Sequence, residues 1–193
     1  LFRRRLEEYI KAECIEKETV SVQEEQVVWD DIVENNMYVI CNTPMAKGIT
    51  HRTLFGFRQV DQKANIKNVQ LIERASKDQE GLVKELESVG FWKGNSSKQE
   101  MKFNAVVGNP PYQIMDGGGT GSSATPIYNK FVDLAKLLNP NNVSMIIPAK
   151  WYTGGKGLDE FRANMLNDKQ LIKLFDYEDS RDCFPTVDIA GGV

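Results

Sequence analysis

Histidine occurs once in this 193-residue chain, at His51, and cysteine three times, at Cys14, Cys41 and Cys183. Neither set has metal-ligand spacing, so a zinc site and a Ser-His or Cys-His hydrolase are both poorly supported. No apolar run approaches the roughly 18 residues of a membrane span. No signal peptide is evident, so a cytoplasmic setting without membrane partners is expected. A Pro-Asp…Asp/Glu-x-Lys nuclease pattern is also missing. Positive charge is not in excess: 24 Lys and Arg face 27 Asp and Glu, a net charge of -3. The pI of about 5.4 lies far below the value above about 9 expected of a simple basic nucleic-acid binder. That balance argues against non-specific coating of nucleic acid, but it leaves room for an enzyme with a local basic cleft. The chain opens on Leu1 and stops at Val193 inside an apparent strand, and a piece of a longer protein is expected.

What is present is concentrated in "FNAVVGNPPYQ", Phe103 to Gln113. Ala105, Val106 and Val107 form a short apolar run closed by Gly108, which reads as a buried strand of a parallel sheet. Pro110 and Pro111 lack N–H groups and fix φ, so the strand cannot pass Asn109. Asn109 precedes a proline and is pushed toward extended geometry. The chain must therefore leave the sheet as a stiff hook. In open α/β sheets such a hook lies at the carboxyl edge, where ligands bind. The Asn109 side chain and the Pro110 carbonyl offer acceptors there. Beside the aromatic face of Tyr112, they suit a flat ring bearing an exocyclic amine.

Asn109-Pro110-Pro111-Tyr112 resembles the catalytic motif of amino-group methyltransferases, above all the S-adenosylmethionine-dependent DNA adenine-N6 methyltransferases. "TPIYNKFVDLAKLLNP", "VSMIIPAKWYTGGKGLDEF" and "DCFPTVDIAGGV" are similar, in order and spacing, to the methylase part of type II restriction–modification enzymes, including those fused to a cleavage domain. The resemblance covers residues 101–193. It implies methyl transfer from S-adenosyl-L-methionine to an adenine flipped out of double-stranded DNA. Asn109 and Pro110 would accept the two amine hydrogens, and Tyr112 would stack on the ring. Pro111, Lys150, Trp151, Tyr152 and Lys156 would line the substrate side, the last four after "VSMIIP". Asn109 alone is placed toward the cofactor. Partners would be duplex DNA and other domains of a parent restriction–modification enzyme.

Along the chain, helical spacing is expected over residues 2–15 and again around Val28, Trp29, Ile32 and Val33. The run Arg3, Arg4, Arg5 is read as a solvated helix face. "MYVIC" and "NVQLI" read as strands. The segment between them has no assignment. Ser76 and Gln79 suggest a capping box opening a helix that runs to Val89 and stops at Gly90. "DGGGTGSS" is a loop. The following spacing predicts a helix over Ile127 to Leu138, a strand at "VSMIIP", a helix at "LDEFRANML" and a strand at "LIKLFDY". Strand, helix, strand, helix, strand implies a doubly wound, mainly parallel, Rossmann-like α/β fold. Residues 1–100 are a mixed helical and strand region, and 101–193 the second half of a methyltransferase domain.

A complete enzyme of the resembled family would carry a glycine-rich cofactor loop, and none precedes Asn109. If "MYVIC" were the second strand, an acidic residue should follow it to hold the ribose hydroxyls, but Asn42 and Thr43 stand there. The isolated chain is therefore expected to be inactive. Two other readings stay open: a non-catalytic methylase remnant serving DNA recognition or subunit contacts, and a methyltransferase of the same motif acting on RNA or on protein glutamine.

Overall fold

The computed structural model describes residues 2–12, 21–56, 64–115, 124–186, 189 and 192–193. The chain divides into two compact units, residues 1–74 with 88–99, and residues 75–87 with 100–193.

In the first unit, α1 is Phe2–Ala12 and α2 is Val22–Asn35. A capping box starts α2: the Ser21 hydroxyl accepts from the Glu24 N–H, and the Glu24 carboxylate accepts from the Ser21 N–H, satisfying otherwise orphaned donors. Arg4 and Arg5 pair with Glu8 at the exposed surface, as a solvated face would. Strand β1, Tyr38–Cys41, leads into α3, Pro44–Phe55, and then into β2, Asn65–Asn68. The strands pair in parallel, Tyr38 with Asn65 through Cys41 with Asn68, with α3 as the crossover. The previously unassigned stretch thus contains a helix whose signals were present: Thr43 accepts from the Ala46 N–H, Pro44 occupies the first turn, and Gly56 closes it at φ 66. "NVQLI" is not a strand as expected. The ladder ends at Asn68, and α4 runs over Leu71–Lys77.

The expected Ser76 cap is also corrected. Asp78 caps α5, Gln79–Leu86, by accepting from Gly81 N–H. That helix ends at Leu86, and a separate short helix, α6, spans Val89–Lys93. Gly90 lies inside α6 rather than ending a helix. A Cβ there would stand 2.5 Å from the Ser97 carbonyl oxygen.

The second unit contains α5 and the hook. Strand β3, Ala105–Gly108, is followed by the hairpin β4, Gln113–Met115, and β5, Ala124–Pro126. Helix α7, Tyr128–Leu137, leads to β6, Asn142–Met145, which pairs in parallel with β3. A 3₁₀ turn over Ala149–Thr153 and helix α8, Asp159–Asn167, complete the main layer. Tyr128, Val132, Trp151, Leu158, Phe161 and Met165 form one buried cluster. Its rings meet edge to face, Trp151 to Phe161 at 5.9 Å and Tyr128 to Phe161 at 6.0 Å.

The α/β class and parallel pairing agree with a Rossmann-like methyltransferase fold, but among the described residues the sheets are small, each of two strands. Two expectations fail in detail. Strand β3 is not covered on both faces, since Val107 is 74% exposed. "LIKLFDY" is extended but makes no ladder except at Tyr177, which exchanges two hydrogen bonds with Val193. A strand exists only where a partner accepts its backbone groups, and residues 172–176 make no backbone hydrogen bond with another described residue.

Candidate active site

Because β3 and β6 are parallel, the segments that follow them leave the same carboxyl edge. The first is the hook. Gly108 is the last ladder residue, its carbonyl accepting from Ile146 N–H at 3.0 Å. A Cβ there would approach the Met145 sulfur to 3.1 Å, so glycine lets the two strand ends close. Asn109 is exposed, Pro110 buried, Pro111 exposed and Tyr112 half-buried. The far end of the hook is fixed too, because the Tyr112 carbonyl accepts from Ile127 N–H at 3.1 Å. Tyr112 packs against the buried cluster. Burial raises the Tyr112 hydroxyl above its ordinary value, and the neighbouring Asn109 side chain offsets part of that rise.

The second segment, Ala149 to Gly157, carries the other expected substrate residues. Lys150 and Lys156 are exposed, and Tyr152 is half-buried with its ring 4.7 Å from Trp151. Trp151 itself is 3% exposed, and its ring belongs to the core. Tyr152 packs on the same cluster as Tyr112. Its hydroxyl is raised by burial and, after that, by the neighbouring carboxylate of Asp176. Burial also pushes Tyr128 up to about 12. The Trp151 backbone offsets part of that rise without completing a well-formed hydrogen bond.

Sequence reasoning missed Asp176 and Cys183, the latter an electrostatic neighbour of Tyr112. An acid directly after an apolar run, as in "LFDY", was the available signal for the first. A cleft of about 780 Å³ also lies in this unit, bordered by β6 and residues 170–175. None of the hook residues lines it. Among the described residues no group of His, Cys, Asp and Glu could hold a metal ion, and no helix is long and apolar enough to cross a membrane.

Were β1 the second strand of a Rossmann-like cofactor fold, its end would face the ribose of S-adenosylmethionine. The Asn42 side-chain oxygen accepts from Ile72 N–H at 3.5 Å, and the Thr43 hydroxyl caps α3. An amide has one acceptor oxygen where a carboxylate has two, and here that oxygen is already engaged. The residues present do not fit the ribose hydroxyls as an acidic residue would.

An α/β fold whose parallel strand ends in an Asn-Pro-Pro-Tyr hook defines a methyltransferase-type domain. A family model described as "Eco57I restriction-modification methylase" matches residues 35–184, and the chain belongs to that family. A relative from Mycoplasma pneumoniae (strain ATCC 29342 / M129 / Subtype 1), described as an "Uncharacterized adenine-specific methylase", is 39% identical over 95 residues, 48% of this chain. The match spans 22% of that relative's length. No solved structure matches.

Proposed function

We propose that this chain is the base-holding part of a DNA adenine-N6 methyltransferase. The observation that carries it is the hook, which leaves Asn109 exposed at the carboxyl edge and Tyr112 half-buried beside it. S-adenosylmethionine, when bound, would supply the methyl group. The Asn109 side-chain oxygen and the Pro110 carbonyl, which accepts no hydrogen bond from the described residues, would take the two hydrogens of an adenine amine. That draws the nitrogen toward tetrahedral geometry and aims its lone pair, so positioning is the main contribution of these groups. The base must leave the duplex to reach them. Tyr112 offers it a stacking face worth roughly 1–3 kcal/mol, with Pro111 at its edge. Lys150, Tyr152 and Lys156 form the flanking surface for DNA, and Trp151 supports them from the core. The proposed domain division is a first region over 1–100 and the base-holding half over 101–193.

The test is transfer of labelled methyl to duplex DNA by the intact protein, with thermal melting of the same variants. Asn109→Ala is expected to abolish transfer while leaving the melting temperature within about 1 °C, since exposed positions away from buried contacts are usually near neutral. Near-normal transfer, or loss only through unfolding, would make the hook a structural turn. A second reading, a remnant that binds DNA without methylating it, is favoured by the engaged Asn42 and Thr43. It predicts unchanged DNA binding and no transfer from the unsubstituted protein.

A further inference from the structure

The turn between the 3₁₀ segment and α8 carries four consecutive residues at positive φ: Gly154 at 70, Gly155 at 78, Lys156 at 47 and Gly157 at 79. Three are glycines, for which this region is free of penalty. The fourth is lysine, for which it is strained. Nothing in the packing requires that side chain, because it is exposed and the turn is closed by backbone groups. Leu158 N–H donates to Gly155 O at 2.9 Å, with Lys156 and Gly157 as the central residues. The turn is also anchored on both sides. Gly154 N–H donates to Trp151 O, Gly155 N–H to the Asp159 carboxylate, and the Arg162 guanidinium to Tyr152 O at 2.7 Å.

Two donors are left over. No partner is recorded for the N–H groups of Lys156 and Gly157 among the described residues. A Cβ built on Gly155 or Gly157 would meet nothing within 4 Å, so the outer side of the turn is open. Adjacent free amides beside an ammonium form a concave anion seat, and the turn leaves the same sheet edge as the hook. Asp159 and Glu160 oppose an anion here, but the Asp159 carboxylate is held by the Gly155 N–H.

We propose that residues 155–158 seat one phosphate of the DNA backbone, with Lys156 and the free amides of Lys156 and Gly157 as its donors. This rests on the proposal that the chain acts on duplex DNA. A strained backbone residue retained without a packing reason is the kind of outlier that marks a functional contact. The seat carries no sequence information and instead fixes the register of the duplex relative to the hook.

The test uses the 193-residue chain and a fluorescein-labelled duplex, with affinity followed by anisotropy across a salt series. Replacing one phosphate contact lowers the slope of log affinity against log salt by about 0.9. Lys156→Gly is expected to lower the slope by that amount and to raise the melting temperature, because the strain is released. Lys156→Arg should keep the slope. If the unsubstituted chain binds duplex and Lys156→Gly leaves the slope unchanged, the seat is wrong and the broader proposal stands. If the unsubstituted chain binds no duplex, both fail. A lower melting temperature for Lys156→Gly would show that the lysine serves the fold and would overturn the seat.

Discussion

The Asn109 side chain lies close enough to the Tyr112 hydroxyl to offset part of the rise that burial imposes on it, and a side chain with a neighbour to hold it loses less freedom on binding. Stacking alone would leave Tyr112→Phe nearly silent. The hydroxyl contact makes it costly. A net hydrogen bond is worth roughly 0.5–1.5 kcal/mol, so Tyr112→Phe should lower methyl transfer by about fivefold. Tyr112→Ala should lower it further, since stacking goes as well. Single-turnover rates on duplex DNA would show this, and equal rates for Tyr112→Phe and the unsubstituted protein would remove the orienting role. At this scale the hook was legible because proline, glycine and aromatic residues each dictate local geometry. The Asp176 and Cys183 contacts were not, since they bring together groups distant in sequence.

Elements were legible where side chains decide and illegible where partners decide. Helices α7 and α8 follow from apolar spacing, whereas α3 went unassigned although its cap and Pro44 were signals for it. "LIKLFDY" has the composition of a strand, yet an apolar run does not supply its own ladder. Gly90 was read as a helix stop because composition cannot reveal that the 95–97 backbone crosses over it. Gly90→Ala should therefore destabilise the chain by about 1–3 kcal/mol, the range for overpacking, measurable by urea unfolding. The tie between α7 and α8 gives a pH signature. Lys136 lies 2.6 Å from the Asp168 carboxylate and holds it below its ordinary value of 3.8. A depressed carboxylate contributes stability above 3.8 that is lost as pH falls through the folded value. Asp168→Asn should lower the melting temperature at pH 7, and the difference should vanish as pH falls below the folded value. Asp133 has the opposite sign, raised by burial, so its contribution fades as pH rises and Asp133→Asn should raise the melting temperature at pH 7.

At the scale of the whole molecule, the small sheets leave apolar surface open. Val107 on β3 is exposed, as are Ile172 at 84% and Phe175 at 71%. The chain should bind a hydrophobic dye in its native state, with Ile172→Ser and Phe175→Ser together reducing the signal. If β1 is the second strand of the cofactor fold, Asn42 replaces the acidic ribose ligand, and no glycine-rich cofactor loop precedes Asn109, so S-adenosylmethionine should bind weakly. A micromolar dissociation constant by calorimetry would contradict that. The fold class was legible in the order of elements. The extent of each sheet was not, because it depends on which strands find neighbours.

The hydrogen bond from Ile127 to the Tyr112 carbonyl, with Gln113 paired to Pro126 beside it, welds the base of the β4–β5 hairpin to the hook. The hook and the base of the hairpin are therefore one mechanical piece. Ile114→Pro, which cannot serve the ladder opposite Thr125, should lower the melting temperature and disturb the Tyr112 position together, so a fault in the hairpin is read out at the hook.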